Sequence, residues 1–167
     1  MMSRSSWHVL DATQLQQSIE AAKKINVPHY QVLQPEYNLY DRQGFEEQLK
    51  PICLEHEIGV VSYYSLASGF LSGKYRGLDQ IKGSKRAESL SKYFTPRGER
   101  ILKALNLVAE RHNAKLADIA LAWVLTREGI TAPIASATTV EQIESFSKAL
   151  GLKLTADDLQ ILEVDSQ

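Results

Sequence analysis

This 167-residue sequence has one cysteine, no long apolar run and almost no net charge. The one cysteine, Cys53, cannot form a disulfide within the chain, and its apolar helical surroundings predict a packed side chain. No apolar run is long enough to span a bilayer. Lysine and arginine number 19 against 20 acidic residues, so a net charge of −1 gives no field that attracts nucleic acid or anionic lipid. The first residues, MMSRSSW, lack an apolar signal core, and we therefore expect a cytoplasmic protein.

Several common kinds of functional site have no support in the sequence. The histidines lie in different predicted elements without the spacing of metal ligands: His8, His29, His56 and His112. His112 falls near the end of a predicted helix, where it favours the negative pole of the helix dipole more readily than a catalytic role. There is no G-x-S-x-G nucleophile elbow. Basic residues are dispersed, so nucleic-acid binding is not indicated.

The most informative stretch is GVVSYYSLASGFLSGKY, residues 59–75. It begins as a short apolar run, which is typical of a buried strand, and continues into tyrosines and a loop of small residues. Small residues let a backbone approach a ligand, and successive N–H groups in such a loop can hold a phosphate. Tyr63 would add a flat apolar face beside that loop. The combination suits a nucleotide cofactor, although an ordinary β-to-α turn with surface tyrosines gives the same pattern.

Apolar runs alternate with helical patterns along the chain, which predicts parallel β/α units. The predicted strands are 30–33, 58–61 and 131–135. The predicted helices are 11–25, 44–56, 96–112, one that has Asp118 in its first turn and runs to 127, 140–150 and a short last helix capped by Thr155. Residues 76–96 are polar and basic and predict a long loop. A closed (β/α)8 barrel needs eight strands and about 250 residues. The expected fold is therefore α/β with about three parallel strands, too few to close such a barrel alone.

Three segments resemble the aldo-keto reductases. Residues 59–75 match that family's seventh strand and loop, G-V-I-P-Y-S-P-L-A-S-G-F-L-T-G-K-Y, at most positions. Residues 34–39, QPEYNL, resemble its sixth strand end, and residues 133–138, PIASAT, followed by VEQI resemble its eighth strand and phosphate-binding turn. ALAW at 120–123 matches the intervening helix. The resemblance implies that residues 11–167 form the C-terminal half of such a barrel, strands six to eight, while residues 1–10 are unmatched.

This resemblance implies a nicotinamide cofactor, NADP, and residues that would contact it. Tyr63 would lie against the nicotinamide ring and Gln34 would bind its carboxamide. The pyrophosphate would meet Leu66, Ala67, Ser68 and Lys74, and the adenosine 2′-phosphate would meet Ser136, Thr138, Gln142 and Arg86. The residues also allow plainer interpretations. Gln34 could satisfy backbone groups at the strand end, Thr138 could simply cap a helix, and Arg86 with Lys85 could belong to a solvated loop.

The catalytic residues of the family have no counterpart here. The resemblance implies carbonyl reduction by a tyrosine acid with a lysine, an aspartate and a histidine, all from early strands of the barrel. A cofactor-binding Ser-Asn pair would fall near His8 and Val9, which do not match, and Ser145 and Phe146 replace an acid and an amide. We therefore expect an NADPH-dependent oxidoreductase by family that is inactive alone and binds NADP weakly or not at all. The alternatives are a truncated gene product, or an assembly module that pairs through open strand edges with itself or a missing N-terminal half.

Overall fold

Three short parallel strands form the centre of the computed structural model, which describes residues 10–75, 77–82 and 87–166. The strands are β1 (Val32–Leu33), β2 (Gly59–Ser62) and β3 (Ala132–Pro133), and β2 lies in the middle. Val32 is opposite Gly59 and Val61 is opposite Ala132. The predicted α/β class with a parallel sheet is confirmed, while the match to barrel strands six to eight stays a prediction.

Helices connect and cover these strands. They are α1 (Ala12–Lys24), a π-helix (Gly44–Leu49) that continues as α2 (Lys50–Glu55), α3 (Ala87–Ser91), α4 (Pro96–Arg111), α5 (Leu116–Leu125), α6 (Val140–Gly151) and α7 (Ala156–Ser166), with 3-10 turns at Ala67–Ser72 and Leu78–Gln80. Asp11 caps α1 as predicted, because its carboxylate accepts from the Gln14 N–H at 2.8 Å and the Gln14 Oε1 accepts from the Asp11 N–H at 3.1 Å. Within the described residues no helix is both long and apolar enough to cross a membrane.

The predicted long loop at 76–96 is wrong for its described part. This segment contains the 3-10 turn Leu78–Gln80 and helix α3, and it buries Ile81, Leu90 and Tyr93 almost completely. The three apolar residues are too far apart among polar neighbours to show a helical period. Their burial comes from contacts with distant parts of the chain, such as the stacking of Tyr93 on Phe70 at 5.3 Å.

Several predicted boundaries also change. The strand expected at 131–135 is reduced to Ala132–Pro133. The strand expected at 30–33 is reduced to Val32–Leu33, and Tyr30 is more than half exposed. The helix expected at 44–56 begins as a π-helix and becomes α-helical only at Lys50. Pro51 follows at once, and a proline is tolerated in the first turn of an α-helix because its missing N–H has no partner there.

The core lies between one face of the sheet and the helices. Leu33 and Val60 of the sheet are buried, and α5 contributes the fully buried Trp123. The Trp123 ring stacks on Tyr37 at 5.5 Å, and the Arg42 and Arg127 guanidinium groups lie 4.9 and 5.0 Å from its centroid. This packing fixes the sheet and leaves the carboxyl ends of the strands at one edge of the molecule.

Candidate functional site

The carboxyl ends of the three strands bring several of the sequence-predicted residues to one edge. Gln34 directly follows β1, Tyr63 directly follows β2, and Ser136 follows β3 after two intervening residues. Parallel strands place their carboxyl ends at the same edge of a sheet, which is where α/β proteins bind ligands. The Tyr63 N–H donates to the Pro35 carbonyl at 2.9 Å, and its own carbonyl accepts from the Tyr37 N–H at 3.3 Å. Tyr63 is thus fixed beside the residues that follow β1.

Tyr63 and Gln34 differ in how far their side chains are engaged. The Tyr63 ring is partly buried and meets the Tyr64 ring edge-on at 5.1 Å. Burial, and then the charge of Glu36, raises the pKa of Tyr63, so its hydroxyl stays neutral and its ring offers an uncharged flat face. The Gln34 side chain is exposed and makes no hydrogen bond within the described residues. Its amide is therefore not used to satisfy the strand end.

The loop after β2 has an unusual backbone. Ala67, Ser68 and Gly69 take consecutive left-handed conformations, with φ of 50°, 58° and 95°. For alanine and serine this conformation costs roughly 1–3 kcal/mol each and persists only where the surrounding structure holds it. Here the Ala67 N–H donates to the Tyr64 carbonyl at 2.7 Å and the Gly69 N–H donates to the Leu66 carbonyl at 2.8 Å. Such strained small-residue loops are common at ligand sites.

Lys74 lies across this loop. A Cβ atom placed on Gly69 would be 3.2 Å from the Lys74 Cε and 3.4 Å from its Nζ, so the end of the Lys74 side chain passes close to the Gly69 backbone. The ammonium is also 4.7 Å from the centroid of the Tyr75 ring. The structure therefore places the Lys74 side chain beside Gly69 of this loop.

The start of α6 brings Thr138 and Gln142 together. The Thr138 N–H donates to the Gln142 Oε1 at 2.7 Å, and the Thr138 hydroxyl lies 3.4 Å from the same atom. The N-cap position is Thr139, whose side chain makes no capping bond, so Thr138 does not act as a simple cap. Ser136 is exposed nearby. Arg86, predicted for the 2′-phosphate, lies outside the described residues, as does Lys85.

Ser145 faces the protein and not the edge of the sheet. Its hydroxyl donates to the buried carboxylate of Asp118 in α5, which also accepts from the Lys115 N–H at 2.9 Å. The side chain that replaces the family's acid is thus used to join α5 and α6. Position 145 therefore lacks the carboxylate that the resemblance implies.

The structure adds a polar cluster that the sequence reasoning missed. The Lys92 ammonium lies 3.2 Å from a carboxylate oxygen of Glu36 and 3.2 Å from one of Asp41, and the Tyr93 hydroxyl donates to Asp41 at 2.8 Å. Burial, with the nearby Asp41 charge, raises the pKa of Glu36. Glu36 pairs with Tyr63 across the sheet, so the cluster adjoins the candidate site. The sequence analysis missed this cluster because Tyr93 and Phe94 lie in a polar segment that predicted a loop. Two adjacent aromatic residues in such a segment could have indicated that it is partly buried.

Asn38 is a second residue that the sequence analysis did not single out. It is fully buried, and its Nδ2 donates to the Tyr64 carbonyl at 3.1 Å. Its Oδ1 accepts from the N–H groups of Tyr40 and Asp41 at 2.8 and 2.9 Å. A buried amide with all these partners ties the loop after β1 to the loop after β2.

Comparisons with known proteins agree on one family. The model of the aldo/keto reductase family matches residues 11–164. A probable voltage-gated potassium channel subunit beta from Arabidopsis thaliana is 30% identical over 87% of this chain and 45% of its own length. A probable aldo-keto reductase 1 from Glycine max is 33% identical over 77% of the chain and 37% of its own length. An L-glyceraldehyde 3-phosphate reductase from Escherichia coli K12 is 28% identical over 90% of the chain and 44% of its own length. The chain spans less than half the length of these curated relatives, and it belongs to the aldo/keto reductase family.

Proposed function

We propose that this chain carries the cofactor-binding part of an NADPH-dependent aldo-keto reductase barrel, with β1 to β3 equivalent to strands six to eight. The observation that supports this most is the meeting of Tyr63, Gln34 and the left-handed loop with Lys74 at one edge of the sheet. Members of the family generally bind NADP(H), which supplies a hydride to a carbonyl carbon. Residues 11–167 would form this unit, and residues 1–10 would lie outside it.

Each residue has a defined task in this proposal. The neutral Tyr63 ring would stack against the nicotinamide, and the Gln34 amide would bind the carboxamide because it can both donate and accept. The loop of Leu66, Ala67 and Ser68 would hold the pyrophosphate with Lys74 as its cation. The 2′-phosphate would lie near the start of α6, where helix N–H groups favour an anion, with Ser136, Thr138, Gln142 and Arg86 around it.

The cluster of Asp41, Lys92 and Tyr93 does not replace the family's catalytic residues. Burial, and then the hydrogen bond to Asp41, raises the pKa of Tyr93 far above its ordinary value, which is the opposite of what a tyrosine acid needs. The Lys92 ammonium is engaged by two carboxylates and so cannot favour an ionised tyrosine. Tyr93 is also almost completely buried. A substrate carbonyl could not reach its hydroxyl.

The isolated chain is therefore expected to show no carbonyl reductase activity. The assay follows loss of NADPH absorbance with a panel of aldehydes and ketones, and the full-length Escherichia coli relative serves as the positive control. Turnover within about tenfold of that control would contradict the proposed division between cofactor and catalytic parts, since the loss of a catalytic acid alone costs about 10²–10⁴-fold.

Residual binding of NADP is expected to be weak, with a dissociation constant in the high micromolar to millimolar range, or about −4 to −5 kcal/mol. Phosphate contacts are charge-assisted, but ordering the loops that make them costs roughly 1–2 kcal/mol per fixed residue. NADP is expected to bind more tightly than NAD because of the 2′-phosphate contacts. Isothermal titration with both cofactors measures this. Submicromolar binding would contradict the first expectation, and equal affinities would contradict the second.

A matched pair of lysine variants tests the phosphate loop. Lys74→Ala is expected to weaken NADP binding roughly fivefold, which is about 1 kcal/mol and typical of one charge-assisted contact that is partly exposed. Lys103→Ala removes an exposed lysine from α4 and is expected to leave the affinity unchanged. Equal losses in the two variants would point to a general charge effect and not to a site at Lys74.

A second candidate function is association through the edges of the sheet. Within the described residues, β1 and β3 each pair with β2 alone, so each keeps an open edge. Open edges are templates for pairing with another chain. One relative is named as a channel subunit beta, which is consistent with an assembly role within the family. The partner would be a second copy or a separate N-terminal half.

A further inference from the structure

The ring of Tyr63, which would stack against the nicotinamide, has few contacts that fix its orientation. Its hydroxyl makes no hydrogen bond to another described residue, and it is not one of the partly buried aromatic side chains that pack against the core. Within the described residues, the one aromatic ring in contact with it is that of Tyr64, with the centroids 5.1 Å apart and an interplanar angle of 62°. The orientation of the Tyr63 ring therefore depends mainly on Tyr64.

Tyr64 has a left-handed backbone, with φ of 52°. A bulky residue in this region is an outlier, and such strain persists only where neighbouring structure holds it. The Tyr64 carbonyl accepts from the Asn38 Nδ2 at 3.1 Å and from the Ala67 N–H at 2.7 Å. Asn38 is fully buried, so its amide is a fixed anchor. The fold thus holds Tyr64 in a conformation that its side chain disfavours.

The left-handed turn has a structural consequence for the two tyrosines. Successive side chains of a strand point to opposite faces, so Tyr63 and Tyr64 would point apart if β2 continued in extended form. The turn at Tyr64 interrupts this alternation, and the rings of two adjacent residues meet. Glycine or asparagine would adopt the same backbone at a lower cost, but neither carries an aromatic ring.

An exposed tyrosine elsewhere in the chain shows that this arrangement is not a general property of surface tyrosines. Tyr30 is 56% exposed and Tyr64 is 52% exposed. Tyr30 has no left-handed backbone, and its ring contacts no other aromatic ring among the described residues. Position 64 is a serine in the family pattern that residues 59–75 resemble, so the second ring is an addition to that pattern.

We propose that Tyr64 is a positioning residue, whose ring holds the Tyr63 ring in the orientation on which a nicotinamide can stack. Edge-to-face pairs of aromatic rings at this separation attract each other beyond the area that they bury. A Tyr63 ring that is already oriented loses less freedom when a ligand binds, which raises the affinity. The inference rests on the proposed cofactor function and deepens it, since Tyr64 acts through Tyr63 and not on the cofactor itself.

The first test needs no cofactor. Nuclear magnetic resonance of the full chain with labelled tyrosines reports the side-chain rotamers of Tyr63 through three-bond couplings. We expect one rotamer in the wild type and in Tyr64→Phe, which keeps the ring, and averaging between rotamers in Tyr64→Asn, which suits the left-handed backbone but has no ring. Tyr30→Asn is the matched control and should leave Tyr63 unchanged. A Tyr63 that keeps one rotamer in Tyr64→Asn would overturn the proposal.

The second test compares two ligands by titration of the same resonances. Tyr64→Asn is expected to weaken NADP binding about fivefold, or about 1 kcal/mol, the size of one aromatic pair. Binding of 2′,5′-ADP should not change, because this ligand has the phosphates but no nicotinamide. Tyr64→Phe should recover the NADP affinity. Equal losses for both ligands would show that Tyr64 supports the phosphate loop instead, and would overturn the proposal.

Stability separates positioning from general damage to the fold. Because asparagine relieves the left-handed strain, Tyr64→Asn is expected to have an unfolding free energy equal to or above that of the wild type in urea titrations. A variant that lost stability and affinity together would show a merely structural role and would count against Tyr64 as a positioning residue.

A double-mutant cycle decides whether Tyr64 acts through Tyr63. In a Tyr63→Ala chain, the further change Tyr64→Asn is expected to leave the NADP affinity as it is. The same fivefold loss with and without Tyr63 would mean that Tyr64 contacts the ligand directly, contrary to the proposal. A wild-type chain that binds neither NADP nor 2′,5′-ADP would contradict the proposed cofactor function, while the rotamers of Tyr63 would still decide whether Tyr64 positions its ring.

Discussion

Replacing Gly98 with alanine is expected to destabilise the fold by about 3 kcal/mol, the upper range for overpacking a buried position. Gly98 lies in the first turn of α4 and is buried. A Cβ atom at this position would lie 1.9 Å from the Tyr93 carbonyl oxygen and 3.0 Å from the Phe70 Cζ. A carbonyl oxygen cannot rotate away as a flexible side chain can, so the backbone of residue 93 must move.

Gly151→Ala is the matched control for this prediction. A Cβ atom at Gly151, the last residue of α6, meets nothing within 4 Å. Alanine is favoured over glycine in a helix by up to about 1 kcal/mol, so the control should gain slightly or stay level. Equilibrium urea unfolding of both variants gives the two free energies of unfolding. We expect a clear loss of unfolding free energy for Gly98→Ala and none for Gly151→Ala. Equal changes in the two variants would contradict the close approach at Gly98.

The Gly98 contact matters for the candidate site as well as for stability. Tyr93 stacks on Phe70, which belongs to the 3-10 turn Ala67–Ser72, and its hydroxyl holds Asp41. A displaced Tyr93 would therefore disturb both the strained loop and the carboxylate cluster beside Tyr63. The NADP affinity of Gly98→Ala, measured under conditions where the variant is folded, should fall further than that of Lys103→Ala.

Local signals in the sequence were sufficient for the regular elements. Asp11 and Thr155 sit where N-caps were predicted, and the apolar period of α4 correctly gave its buried face, including Ile101, Leu105 and Val108. These features depend on residues within a few positions of one another. Periodicity and capping chemistry therefore predict them without knowledge of any tertiary contact.

Features that depend on distant contacts were not predictable in the same way. Helix α3 has five residues, too few to show a period, and is placed by the burial of Leu90. The left-handed backbone at Ala67 and Ser68 contradicts the preference of those residues and is held by the fold. The Lys92 pairing with Glu36 joins residues 56 positions apart. Residue types could suggest a cofactor loop, but not the network that supports it.

Asp158 shows how a predicted cap acquires a tertiary role. The Asp158 N–H donates to the Thr155 hydroxyl oxygen at 3.2 Å, and its Oδ2 accepts from the Thr155 N–H at 3.0 Å, as a capping pair should. The same carboxylate lies 2.8 Å from the Nε2 of His112, the C-cap of α4, and 3.1 Å from an Arg111 nitrogen. Its 2% exposure means that these bonds form out of water. Asp158 therefore joins α7 to the end of α4, beyond the dipole role predicted for His112.

Asp158→Asn is expected to cost about 2–3 kcal/mol at pH 7, because a buried charge-assisted pair loses one partner. Asp157→Asn is the control. Asp157 is exposed, and its contact with Arg111 at 2.6 Å is a surface ion pair, so a loss below about 0.5 kcal/mol is expected. Free energies of unfolding from urea titrations at pH 7 compare the two. Equal losses would show that net charge near Arg111, and not the buried carboxylate, stabilises the α4–α7 contact.

The effect of Asp158→Asn should also depend on pH in a defined direction. Burial acts to raise the pKa of Asp158, but the hydrogen bonds from His112 and Thr155 outweigh it and hold that pKa below its ordinary value. A carboxyl whose pKa is lower in the folded than in the unfolded state, where it is about 3.9, stabilises the fold above that value. The stabilisation is lost as the pH falls further, since the unfolded chain then binds the proton first. The difference in unfolding free energy between the wild type and Asp158→Asn should therefore persist down to about pH 5 and shrink below about pH 4. A difference that stays constant down to pH 3 would mean that the ionised carboxylate is not what holds α7 to α4.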